Sequence, residues 1–279
     1  MSGRRLLNMT LMIIKRISDP YYQGVAAELA FFFLLSLVPT AIILGEMLGV
    51  FSISMNVIRD ILAEYVSPEI SASLSDYLTY NPSGAFSAAF IIFALWAASK
   101  ASYSMMRISN YSFTGHPSGG RGYIRERLRA VKTILITIFT LAFGLLILVY
   151  GEIIIKVFTA YVNQFLHLKF IFDSIWFVLR WPVALALYFL MISYNYYVLP
   201  SERIKFRKIL PGSIVASAGM LLASWIYSYY AAVFANYDLL YGSLAAIVAL
   251  LFWFYILGYI LVVGILVNAV WDQTKPARD

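Results

Sequence analysis

The 279-residue chain has no cysteine and only two histidines, His116 and His167. Disulfides and thiolate metal sites are therefore excluded, and the two histidines lie too far apart to form a local metal motif. Charge is also scarce: 13% of residues are charged and 62% are hydrophobic, against roughly 25% and 45 to 50% in soluble domains. One water-facing core cannot hide that much apolar surface. The apolar stretches are long and nearly unbroken rather than alternating, which argues against a β-barrel and makes lipid the solvent for their side chains. The fold class that follows is all-α, a polytopic helical membrane protein.

The first apolar run, Leu6 to Ile14, is short and is followed by Lys15 and Arg16 rather than by a small-residue cleavage site, so it does not read as a cleavable signal. Residues 1–20 read instead as a cytoplasmic interfacial helix. Leu6, Leu7, Met9, Ile13, Ile14 and Ile17 would face acyl chains, while Arg4, Arg5, Lys15 and Arg16 meet anionic headgroups. The alternative is a frayed terminus.

About 20 helical residues cover a ~30 Å hydrocarbon core. Six segments meet that requirement: Val25 to Val50, Ala85 to Met106, Thr133 to Val157, Ile175 to Val198, Leu210 to Phe234 and Ser243 to Val270. Pro211 and Gly212 are expected to open the fifth, where a first-turn proline loses no hydrogen bond. Lys and Arg set orientation, because their translocation is disfavoured. With six spans, seventeen basic residues fall on the side of the termini, and only Arg59, Lys156, Lys169 and Arg180 fall on the other. Both termini are thus expected in the cytoplasm, and residues 1–279 form one transmembrane domain.

The outer segment 51–84 carries two helix-period patterns, Ile58, Ile61, Leu62, Tyr65 and then Ile70, Leu74, Tyr77, Leu78, separated by Ser67 and Pro68. It reads as amphipathic, either a lid across the bundle mouth or short helices resting on the membrane.

A charge within a span is expensive and usually faces the protein interior or a wet cavity. Glu28 stands about one turn inside the first span and Lys100 about two turns inside the second, counted from the cytoplasmic surface. Those depths suggest an ion pair, serving either to fix two helices or to handle substrate or protons. Glu46, Glu152, Lys156 and Arg180 fall near the outer ends of their spans and read as interfacial anchors or as parts of an outer gate. Asn195, Asn110, Asn268 and several serines are deeper, where interhelical hydrogen bonds are the ordinary role.

Small residues line one face of the fifth span, Gly212, Ser213, Ala216, Ser217, Ala218, Gly219, Ala223 and Ser224, and recur in the sixth at Gly242, Ala245, Ala246, Ala249 and Gly264. The two helices are expected to pack closely. Pro39 would break the first span near mid-membrane and free a carbonyl, a device found both in transporters and in static helices. The inner loop from Ser109 to Lys132 contains GHPSGGRGYIRERLR. It lacks the Lys-Ser/Thr closure of a nucleotide-binding phosphate loop. Its arginines suit anionic lipid, and the orientation rule also explains them without a ligand.

Four stretches together resemble the YihY and BrkB family of bacterial inner-membrane proteins. They are AAELAFFFLLSLVP from Ala26, the region of Trp96 and Ser99 through Asn110 and Tyr111 into the Arg-rich segment, VLPSERIKFRKILPGSIVAS from Val198, and YGSLAAIVALLFWFYILGYILVVGILVNA from Tyr241. The resemblance implies localisation in the bacterial cytoplasmic (inner) membrane and a multi-pass envelope protein, with export or lipid translocation proposed for relatives. Where the family's last span often carries an acidic residue, this chain has Leu266. Some members were once labelled ribonucleases, but no histidine pair, clustered carboxylates or metal-ligand spacing supports phosphodiester hydrolysis here. No enzymatic activity is therefore expected.

The leading functional expectation is a transporter that translocates a lipid or another anionic amphiphile. Its path would draw on Glu28, Pro39, Lys100 and Asn195, with Arg121, Arg125, Arg127, Arg203 and Arg207 gathering headgroups at the inner surface. The alternatives are an ion-coupled (Na⁺, K⁺ or H⁺) antiporter using Glu28 or Glu46, and a non-transporting envelope scaffold. Expected partners are membrane lipids and a second copy of the chain where it forms a homo-oligomer. Nucleic acid is not expected, and no cofactor is implied.

Overall fold

Long runs of Leu, Ile, Ala, Phe and Met satisfy their backbone polar groups most simply as helix, because an α-helix closes every interior hydrogen bond within its own segment. A computed structural model of the chain describes residues 3–49, 84–117, 122–166, 173–201, 204–234 and 243–274. These residues form seven helices: α1 (Gly3–Ile17), α2 (Pro20–Gly49), α3 (Gly84–Thr114), α4 (Tyr123–Leu166), α5 (Asp173–Val198), α6 (Phe206–Phe234) and α7 (Ser243–Gln273). No strand occurs among them. Each of the six long apolar segments falls on its own helix, α2 to α7. By length and composition alone, Phe206–Tyr229 and Ile247–Gln273 are long and apolar enough to cross a membrane. The outer segment 51–84 lies outside the described residues except for Gly84, as do the side chains of Pro39, Glu46, Glu152, Lys156 and Arg180.

The helix ends correct several expected boundaries. Asp19 caps α2, its Oδ1 accepting the Tyr21 amide at 2.9 Å, and Pro20 occupies the first helical position, where no amide is needed. At the other boundary, α3 runs two turns past Met106 and stops at Gly115, whose φ of 79° is left-handed. Its amide donates to the Tyr111 carbonyl at 2.9 Å, closing the last turn. α4 starts directly after Gly122 (φ 81°), because Arg125, Glu126, Arg127 and Arg129 are good helix formers rather than loop residues. Its 44 residues extend about 66 Å, far beyond the expected Thr133 to Val157. Pro211 is likewise not in the first turn. It lies inside α6, which begins at Phe206.

The core is centred on α7, which packs against α6, α2, α1 and α3. Val262, Ile265, Leu266 and Val270 are buried there with Leu29, Ile192, Tyr196, Leu199 and Ile209. Glycine permits the closest crossings. A Cβ at Gly212 would fall within van der Waals contact of the Gly264 carbonyl, and one at Gly264 would lie 2.9 Å from Ala216 Cβ. At Gly258 it would come 2.9 Å from the Ala26 carbonyl of α2. Beside the first of these crossings the Gly212 amide donates to Asn268 Oδ1 at 2.7 Å. α6 and α7 are thus the close partners that their small residues predict.

α1 differs from its expected role. Met9 is buried, and Met12, Ile13 and Ile17 pack against the same core, so half of its apolar set grips protein. Leu6, Leu7, Leu11 and Ile14 face outward. Arg5 donates to the Trp271 carbonyl at 3.2 Å and lies 4.6 Å from the Trp271 ring centroid, while Arg16 donates to Gln273 Oε1 at 2.7 Å. Two arginines expected at headgroups therefore fasten α1 to the end of α7, whose terminal carbonyls attract positive charge.

Candidate functional site

The charged cluster lies where α2, α3 and α4 meet. On α3, Trp96, Lys100, Ser104 and Arg107 follow one another at helical spacing and share a face. Arg107 of α3 donates through Nη2 to Glu28 Oε2 of α2, and the side chains are 29% and 33% exposed. Its guanidinium carbon lies 5.8 Å from the Tyr103 ring centroid. The expected Glu28–Lys100 pair is thus replaced by Glu28–Arg107. Both cations lie on the same face of α3, and the register of α2 against α3 brings the later one to the carboxylate. Lys100 instead holds its ammonium 5.6 Å from the Trp96 ring centroid, a cation–π contact that keeps its stem against apolar surface.

α4 returns beside the middle of α3 rather than its end. Tyr123 meets Tyr103 edge-on at 5.8 Å, and Arg127 donates to the Trp96 carbonyl at 3.2 Å. Of the headgroup candidates, Arg125 and Arg207 are exposed, Arg127 lies in this cluster, and Arg121 and Arg203 fall outside the described residues. Asn195 is elsewhere. Its amide donates to Thr137 Oγ1 at 3.2 Å and to the Met191 carbonyl at 2.8 Å, tying α5 to α4.

Below the charged cluster a polar belt joins three helices, α2, α3 and α7. Tyr111 donates to Asp19 Oδ2 at 3.1 Å, Tyr22 and Ser112 hydroxyls are 3.2 Å apart, and Gln273 donates to the Ser112 carbonyl at 3.4 Å. Two donors at this junction are buried without a hydrogen-bond partner among the described residues, the Tyr21 hydroxyl and Arg107 Nε. Buried donors of this kind normally meet water or a ligand atom.

The sequence reading missed Arg129. It lies beneath the end of α5, where Nε donates to the Val198 carbonyl at 3.0 Å and Nη2 to the Leu199 carbonyl at 2.6 Å, with Val198 and Pro200 also accepting from Nη2. An arginine fork satisfies terminal carbonyls that have no helical partner. Asn110, read as an ordinary interhelical group, locks the same corner: its Oδ1 accepts the Ser201 amide at 2.8 Å and its Nδ2 donates to Ser201 Oγ at 3.0 Å.

Residues 13–279 match the family described as virulence factor BrkB. The chain belongs to that family. It is similar to a ribonuclease-like protein, YfkH, of Bacillus subtilis, with 30% identity over 261 residues and 92% of each chain covered. It is also similar to the UPF0761 membrane protein NTHI0384 of Haemophilus influenzae, with 23% identity over 270 residues and 96% of each covered. A UPF0761 membrane protein of Idiomarina loihiensis matches over 110 residues at 27% identity, covering 38% of this chain and 37% of that protein. No solved structure matches. The apolar helices together with these relatives make this BrkB-family chain a helical membrane protein. Leu266 is fully buried in the core.

Proposed function

We propose that this BrkB-family protein is a multi-pass transporter of the bacterial inner membrane that moves an anionic amphiphile between leaflets, without enzymatic activity. In this reading α2 to α7 are six spans with both termini in the cytoplasm, supported by seventeen basic residues on one side against four on the other. One observation carries the transport reading: a part-exposed ion pair, Glu28 with Arg107, stands between membrane helices beside two buried donors that lack partners among the described residues. A polar position of that kind within an apolar bundle accommodates a polar group in passage. The path uses Glu28, Arg107 and Lys100; Asn195 fastens helices instead. With no nucleotide-binding loop in the sequence, transport would be passive, driven by an ion gradient, or powered by a partner protein.

A second reading, a static envelope scaffold, draws support from the Gly212–Gly264 and Gly258–Ala26 crossings, which leave little room for motion. Proteoliposomes separate the two. Movement of labelled anionic lipid by the wild-type protein, reduced in Arg107→Gln at matched folding, is the expected result. No movement by folded wild type leaves the scaffold.

A further inference from the structure

We infer that Lys100, Trp96 and Arg127 form a lateral binding site for one anionic phospholipid on the outer surface of the α2–α3–α4 group. This deepens the transport reading by naming where an anionic headgroup first engages the protein. Two cations converge on one residue: the Lys100 ammonium lies 5.6 Å from the Trp96 ring centroid, and Arg127 Nη2 is 3.2 Å from the Trp96 carbonyl oxygen. Neither is within ion-pair distance of a carboxylate among the described residues, since Glu28 is taken by Arg107. Arg127 Nη1 is buried without a hydrogen-bond partner among the described residues. Two cations sharing one exposed tryptophan, with a buried donor to spare, call for an anion.

The surroundings identify that anion as a lipid rather than a free ion. Trp96 is 47% exposed and stacks on Phe93 at 5.9 Å, itself 43% exposed; Ile92, one turn earlier on α3, is 68% exposed, and Phe31 of α2, 54% exposed, meets Phe32, which lies edge-on to Trp96 at 6.5 Å. An apolar surface next to paired cations fits a molecule with a phosphate at one end and acyl chains at the other.

The test uses the full chain in nanodiscs of a zwitterionic phospholipid doped with phosphatidylglycerol. Brominated phosphatidylglycerol is expected to quench a fluorescence component that Trp96→Phe lacks, more strongly than brominated phosphatidylethanolamine does. Lys100→Gln with Arg127→Gln should weaken phosphatidylglycerol retention in native mass spectrometry by about 25-fold, roughly five-fold per charge. Lys100→Arg and the exposed-site control Lys205→Gln should retain it. Equal quenching by the two lipids in wild type overturns the site, even if the double variant fails to fold. So does unchanged retention in a folded double variant, or displacement of the lipid by millimolar inorganic phosphate, which would make the ligand a free anion. Lipid movement is measured separately. Binding without movement sinks the transport reading and keeps the site, whereas movement without the preference does the reverse.

Discussion

The α5–α6–α7 junction and the α2–α3–α4 face are made of the same residue types and use them oppositely. At the first, the groups that tie the helices together are consumed internally: Asn268 takes the Gly212 amide, Tyr196 donates to the Leu261 carbonyl at 2.7 Å, and Arg129 of α4 closes α5, while Ser193 Oγ and Trp253 Nε1 are buried there without a hydrogen-bond partner among the described residues. At the second, Lys100 and Arg107 rest on aromatic faces and the Glu28–Arg107 pair is about one-third exposed. In a membrane helix bundle, glycine and satisfied hydrogen bonds produce rigidity, whereas charges held against rings remain available to something else.

The strongest way to break this contrast is steric. Gly264→Val places a side chain where Ala216 Cβ would be 2.9 Å from the first added carbon and the Tyr196 hydroxyl closer still. We expect loss of more than about 3 kcal/mol, or failure to fold, read as the disappearance of a monodisperse peak in size-exclusion chromatography. A well-behaved Gly264→Val would mean that the junction is not close-packed.

How far the sequence foretold this contrast depends on the kind of information each feature needs. Helix positions and the α6–α7 partnership were legible, because apolar length and small-residue spacing are properties of one segment at a time. The Glu28 partner was not. Depth along α3 admits both Lys100 and Arg107 on one face, and only the register between two helices decides between them. α4 was read too short because its arginines suggested a loop, although they extend a helix equally well. α1 offered a signal that went unused: Met9, Ile13 and Ile17 repeat every four residues on a face distinct from Leu7, Leu11 and Ile14, and two apolar faces imply two partners.

The next largest effect is expected from Arg129→Ala, which strips several carbonyls at the end of α5 of their donor. About 2 to 3 kcal/mol should be lost, since hydrogen bonds from a charged donor are among the stronger ones. Arg129→Lys should not restore thermal stability, because an ammonium lacks the planar fork. Rescue by lysine would reduce the interaction to simple charge.

A double-mutant cycle of Glu28→Gln and Arg107→Gln should give a coupling below about 1 kcal/mol, as befits a partly exposed pair. The same cycle with Lys100→Gln should show losses that simply add. Coupling of Glu28 to Lys100 greater than to Arg107 would overturn the pairing described here. Smallest of all, Asn195→Ala should cost about 0.6 kcal/mol, the average for an interhelical hydrogen bond in a membrane bundle. Abolished lipid movement in a fully stable Asn195→Ala protein would return that residue to the path.

The clasp between α1 and α7 also dictates an order of events during synthesis. Arg5 and Trp271 are 266 positions apart, an interval that a ribosome adding ~5 to 20 residues per second covers in roughly 15 to 50 s. Throughout that time α1 exists without α7 and must store both of its apolar faces somewhere, with the membrane surface the nearest reservoir. Its arrival on α7 is therefore among the last steps of assembly, and chains halted before Trp271 should leave the N-terminal helix open to protease.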